Sequence, residues 1–203
     1  MDAHTHSRVG RLPRAYILAP HELTAPPQGE KFCAGIHPWH ISGYPDQKPA
    51  LFKLFSHPQC IGVGETGLDR LYPHLALQVE SLMWHWDKAE DFEKPLILHL
   101  VKSSSDILAL LKKRKPRTIW ILHDFQGPPD VVMRILKLHP RCYFSFGPRA
   151  FSRSDSKHLW DQVPRELRLI ETDDSGLTIE AVLKMSEASA EEMSKNFQSA
   201  FSL

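Results

Sequence analysis

The chain is short of features that define several large protein classes. Its three cysteines, Cys33, Cys60 and Cys142, are odd in number and widely spaced, which argues against a disulfide framework. Each lies in or beside an apolar run and reads as a buried free thiol. Net charge is nearly absent, since 25 lysines and arginines face 24 aspartates and glutamates, a formal balance of +1 over 203 residues. That leaves no broad field to steer a polyanion or a membrane surface, and a phosphate-bearing substrate has to be held by local groups. No apolar run approaches the length of a membrane span, and no basic segment leads into an apolar one near the start. A soluble, cytoplasmic protein is expected, with no membrane partner and no obligate protein partner evident. Flexible linkers, low-complexity stretches and internal repeats are missing too. Residues 1–203 are therefore read as one domain.

What is present is an alternation. Short apolar runs at Ala15–Ala19, Phe32–Ile36, Cys60–Val63, Leu96–Leu98, Thr118–Leu122, Cys142–Ser145 and Leu167–Ile170, with the segment before His4, make about eight candidate strands. Helical stripes lie between the later ones: Leu75, Val79, Leu82, Met83, Trp86 and Ala89; then Ile107 to Leu111; then Val131 to Leu138. Alternating strands and helices predict a parallel sheet with helical crossovers, and eight repeats favour a closed (β/α)8 TIM-like barrel. Such a barrel usually needs about 250 residues, so a compact version is expected, its first connections abbreviated to loops around Arg8–Arg14 and the proline-bearing Pro20–Glu30. The tail from Ile179 to Phe201 is expected to pack as helix on the barrel's outside. The basic run Lys112, Lys113, Arg114, Lys115 and Arg117 reads as a cationic helix C-terminus complementing the macrodipole.

The chemistry-bearing residues fall after the strands. His4 and His6 follow the first, His37 the third, Glu65 the fourth, His99 the fifth, His123 the sixth and Asp173 the eighth. In a parallel barrel those positions meet at one mouth. Alternate residues of a strand share a face, so His4 and His6 would converge. Imidazole and carboxylate donors suit zinc, iron, nickel or manganese, without excluding a weakly held magnesium. The set exceeds what one tetrahedral ion needs, and two divalent ions sharing a carboxylate would use it economically. The other histidines, His21, His40, His57, His74, His85, His139 and His158, are read mainly as loop or helix-surface residues.

Asp2-Ala3-His4-Thr5-His6, Gly35-Ile36-His37-Pro38, Gly64-Glu65-Thr66-Gly67-Leu68-Asp69, Lys94 to His99, His123-Asp124-Phe125-Gln126-Gly127, Tyr143 to Gly147 and Glu171-Thr172-Asp173 occur in that order. In this the chain resembles TatD-type metal-dependent hydrolases from Asp2 to about Asp173. The resemblance implies an amidohydrolase-like barrel with one or two metals and often DNase activity. It also implies that His4, His6, Glu65 and Asp173 hold one metal, that Glu65, His99 and His123 hold the other, and that Glu65 bridges them. Many related amidohydrolases place a carboxylated lysine at the end of the fourth strand, where this chain has a glutamate. The chain departs from the family pattern at Val101, where an arginine is common and the nearest cation is Lys102. It departs again at Trp39, in place of a polar residue, and at Asp174-Ser175, in place of a proline.

The expected reaction is hydrolysis of a phosphodiester, DNA first, by a water that the metals make acidic. Asp173 is the expected general base, and His37 the group that binds a phosphoryl oxygen or assists the leaving group. Lys102, Arg149 and Arg153 are candidates for phosphate contacts. Hydrolysis of an amide, lactone or small phosphoester on the same centre is the nearest alternative. A non-catalytic, metal-stabilised barrel that binds a partner is the other. A polymerase-and-histidinol-phosphatase type of phosphoesterase also starts with His-x-His, but the Asp-x-His expected near its end is absent here.

Overall fold

The computed structural model describes residues 1–10, 12–152 and 154–203. Strands β1 (Asp2–Thr5), β2 (Arg14–Ile17), β3 (Phe32–Ala34), β4 (Cys60–Asp69), β5 (Leu96–Val101), β6 (Trp120–Leu122), β7 (Cys142–Phe146) and β8 (Arg168–Ile170) form one sheet in chain order, every neighbouring pair parallel. The ends meet just beyond β8, where Thr5 bridges Asp173 and the Asp173 N–H donates to the His4 carbonyl at 3.0 Å. The side chain of Asp2 completes the seam. Its two oxygens accept from the Thr172 N–H at 3.0 Å and the Thr172 hydroxyl at 2.7 Å.

The first connections are abbreviated as expected. Among the described residues between β1 and β2 there is no helix, and the β2 to β3 link has a 3-10 turn, Pro20–Glu22. Helices α1 (Tyr44–Phe55), α2 (Leu75–Asp91), α3 (Ser104–Lys113) and α4 (Pro129–Leu138) fill the next links, and α5 (Pro148–Phe151) and α6 (Ser154–Gln162) follow β7. The periodicity did not reveal α1, because Pro45 and Pro49 interrupt it. Pro45 is tolerated in the first turn, and Pro49 forfeits one helical hydrogen bond that burial of Tyr44, Leu51, Leu54 and Phe55 offsets. The cationic end of α3 is held by ion pairs as well as by the macrodipole. Arg114 reaches Asp87 at 2.5 Å and Glu90 at 2.7 Å, and Arg117 reaches Glu90 at 2.9 Å.

Two further expectations are corrected. The tail is two helices, α7 (Ile179–Ser186) and α8 (Ala190–Phe201), broken where Glu187 turns to φ +58°. And α8 is not on the outside alone, since Phe197, Ala200 and Phe201 join the inward-facing Ala3, Ile17, Cys33, Ile61, Ile97, Ile121 and Leu169 in one buried cluster. Strands this short leave an apolar barrel floor open to water, and the aromatic end of α8 covers it. A larger cluster, with Trp86, Trp120, Phe144 and Phe146 fully buried, packs the outer faces of the strands against the helices. The three cysteines are buried and free. Among the described residues, no helix is long and apolar enough to cross a membrane.

Candidate metal centre

The apolar floor and the polar mouth belong to the same columns of side chains. Ile97 is followed two residues on by His99, Ile121 by His123, and Leu169 by Glu171 and then Asp173. Period-two alternation therefore carries these three strands from core packing to chemistry on one face. Glu65 and His99 lie within β4 and β5 rather than after them, because both strands run further than their apolar runs. Gly67 permits this. Its φ is +152°, and a Cβ there would stand 2.0 Å from the His99 carbonyl oxygen, so only glycine lets the two strands come this close.

Glu65, 4% exposed, is the hub. Its Oε1 lies 3.0 Å from His99 Nδ1, 3.0 Å from His123 Nε2 and 3.3 Å from His37 Nε2, and its Oε2 lies 3.1 Å from His4 Nε2. Asp173 Oδ1 stands 3.8 Å from His4 and 3.6 Å from the half-exposed His6. Three groups bring their donor atoms within 4.8 Å of one another: His4, Glu65 and His123; His4, His6 and Asp173; His37, Glu65 and His99. His4, His37, His99 and His123 thus surround the Glu65 carboxylate, and His4 links it to His6 and Asp173.

Outer partners that the sequence reading passed over fix these rings. Glu171 Oε1 takes His123 Nδ1 at 3.0 Å, and Asp69 Oδ2 faces His99 Nε2 at 3.4 Å. Period two does flag both, since Glu171 shares a face with Asp173 and Asp69 with Glu65. His85, read as a surface residue, is wholly buried, as is nearly all of His139. His85 Nε2 accepts from the Ile36 N–H at 3.2 Å, and its Nδ1 lies 2.8 Å from the Ser81 carbonyl. It ties α2 to the segment that presents His37.

The electrostatics suit a bound cation. Burial pushes His4 down to about 3, and it is therefore neutral with lone pairs to offer. Burial would raise Glu65, but the charge on His123 and hydrogen bonds from His123 and His37 outweigh it and hold the carboxyl well below its ordinary range. Burial opposes a charge on His123 too, yet Glu65 and Glu171 drive it well above the usual imidazole value. Burial raises Asp173 to about 6. Among the described residues, both nitrogens of His4 and Oε1 of Glu65 are fully buried without a well-aligned hydrogen bond, although imidazole nitrogens stand 3.0 Å from Glu65 Oε1 and Oε2 stands 3.1 Å from His4 Nε2. Unsatisfied imidazole nitrogens and carboxylate oxygen aimed into one space fit a divalent transition metal.

Asp173 lines two clefts at the rim of the centre. One, of about 240 Å³, is walled by Asp124, Gly147, Arg149 and Ser175; the other, of about 440 Å³, by His6, Val9, Leu12 and Leu177. Arg149 lies 3.6 Å from Asp173 and 3.5 Å from Asp124. Lys102 is exposed at φ +49° after β5 and lines neither cleft. Arg153 lies outside the described residues.

The family model of TatD related DNases matches residues 24–199, so His4 and His6 precede the matched span. The uncharacterized metal-dependent hydrolase TatD of Mycobacterium tuberculosis is 30% identical over 154 residues, which cover 70% of this chain and 57% of that protein. The 3'-5' RNA nuclease TATDN2 of Homo sapiens is 28% identical over 146 residues, 68% of this chain and 19% of that one. The chain thus aligns with little more than half the length of the bacterial relatives it matches. The crystal structure of YJJV, a TatD homologue from Escherichia coli K12, superposes with a TM-score of 0.76 at 19% identity, covering 94% of this chain and 86% of that one, and shows the shared fold. With the family model spanning most of the sequence, the chain belongs to the TatD related DNase family.

Proposed function

We propose that this protein is a divalent-metal-dependent hydrolase of phosphodiesters, with nucleic acid as its substrate class, and that residues 1–203 act as one barrel domain. The observation that carries this reading is the convergence of four imidazoles on the Glu65 carboxylate, with Asp173 at the rim. His4, His6, Glu65 and Asp173 would hold one ion, and Glu65, His99 and His123 a second, with Glu65 shared. Divalent ions held there supply Lewis acidity, making water more acidic and offsetting charge on phosphoryl oxygens.

The remaining work falls to side chains. Asp173, at the rim 3.8 Å from His4 and 3.6 Å from His6, is placed to accept a proton from the attacking water. His37 has its tautomer set by the backbone. Its Nδ1 accepts from the Trp39 N–H at 3.1 Å, so the proton of the neutral ring sits on Nε2, which faces Glu65 Oε1 at 3.3 Å and would be free for a phosphoryl oxygen once a cation takes that carboxylate. Arg149, near Asp173 and largely exposed, provides a guanidinium for a substrate phosphate. Lys102 is a more distant candidate for the same role.

The RNA nuclease name of TATDN2 and the DNase name of the family model support a nucleic-acid substrate without choosing between sugars. The test is metal analysis followed by turnover on single-stranded DNA, duplex DNA, RNA and a generic phosphodiester, before and after chelation and metal return. Chelator-sensitive cleavage of at least one nucleic acid is expected. A fully loaded protein that cleaves none of them, or that hydrolyses only amides or lactones, overturns the proposal.

A further inference from the structure

Beside the metal centre stands an aromatic pair that the proposed chemistry does not use. Trp39 and Tyr72 are stacked with ring centroids 5.2 Å apart and planes 20° from parallel. They remain 53% and 40% exposed. Trp39 is tied to the centre on its other side. Its indole N–H donates to Asp69 Oδ2 at 3.0 Å, the oxygen that faces His99, and its ring meets His37 edge-on at 4.7 Å. Tyr72 is held by the backbone. Its N–H donates to the Asp69 carbonyl at 3.2 Å, and the buried Gln78 amide gathers the Asp69, Tyr72 and Pro73 carbonyls.

The geometry points to a preorganised stacking platform, formed by Trp39 and Tyr72, for an unpaired nucleobase next to the phosphodiester being cleaved. Large exposed rings held in place by buried polar groups pay little entropy on binding a flat ligand. Bases from DNA and RNA alike offer such a face, and a base locked in a duplex does not. The pair adjoins His37, the group assigned to the phosphoryl oxygen, so a nucleotide bound there would extend from the metal centre onto the rings. This inference rests on the proposed phosphodiester chemistry for its substrate, and its test reads binding, so the two can fail separately.

Calorimetric titration in chelator, where nothing is cleaved, compares three probes: pentathymidylate, pentauridylate and an abasic pentanucleotide backbone. The base-bearing strands are expected to bind about tenfold or more tighter than the abasic one, a duplex gaining nothing comparable. Tyr72→Ala, which touches no metal-centre side chain, should erase most of that difference while leaving abasic binding and metal content unchanged. Trp39→Phe, which keeps a ring, should preserve more of it than Trp39→Ala. Equal affinity for base-bearing and abasic strands, or a base preference indifferent to both substitutions, overturns the platform even if the loaded enzyme cleaves nucleic acid. A ring-dependent base preference in a protein that cleaves none sustains it and removes the hydrolase instead.

Discussion

Glu171 holds His123 through a single oxygen. Oε1 lies 3.0 Å from Nδ1 of the ring and also accepts from the Asp124 N–H at 2.9 Å. That oxygen holds the Nδ1 proton, so Nε2, turned toward Glu65 at 3.0 Å, is the ring nitrogen that would bind a cation once the cation displaces its proton. Carboxylate–histidine pairs of this kind set tautomer and basicity at metal sites.

Glu171→Gln therefore weakens metal binding without removing a ligand. Affinity measured by titration with zinc or manganese should fall by roughly 10- to 100-fold, while the circular dichroism of the fold is retained. Unchanged affinity would mean that His123 is not a ligand.

Glu65→Gln removes the charge at the hub and one of two oxygen donors. Both ions are expected to bind more weakly, by more than the roughly 10- to 100-fold typical of losing an outer partner. Elemental analysis after dialysis checks this. Two equivalents retained with normal turnover would rule out the bridging role.

Asp173→Asn separates the base from the metal. His4, His6 and Glu65 still offer donors, so most metal is retained at saturating concentration, while turnover of a phosphodiester falls on the order of a hundredfold or more. Equal rates at full occupancy would exclude Asp173 as the essential base.

His85 makes stability depend on pH. Burial depresses it from 6.5 to about 4, so between those values the unfolded chain binds the extra proton. Its contribution is full above pH 6.5 and is lost as pH falls toward 4, amounting to about 3 kcal/mol across the window. His85→Gln should be less stable than wild type at pH 7, and the two denaturation curves should converge as the pH approaches 4. His139, depressed in the same range, titrates in both proteins and cancels. A gap constant with pH would show that His85 is not the titrating group.

Gly67→Ala tests the close approach of β4 and β5. With the added Cβ 2.0 Å from the His99 carbonyl and φ at +152°, the strands must part, and a loss of about 3 kcal/mol or more is expected in thermal or denaturant unfolding. Wild-type stability would mean that the strands do not come this close.

The sequence by itself determined the alternation of strands and helices, the abbreviated first connections and the side chains that meet at the mouth with Glu65, because period two and the order of the motifs are local properties of the chain. It also carried Asp69 and Glu171 within those motifs, Glu171 one alternation from Asp173 and Asp69 two from Glu65. Only the tertiary structure decided that α8 closes the barrel floor, since an apolar helix face is the same pattern whichever surface it covers. The same holds for His85: its spacing is that of any helix residue, and its burial follows from α2 packing against the ends of β3 and β4. Trp39 beside Tyr72 is the clearest case. Nothing in two residues from separate loops specifies a stack; the barrel mouth brings the loops together, and Asp69 and Gln78 hold the rings in place.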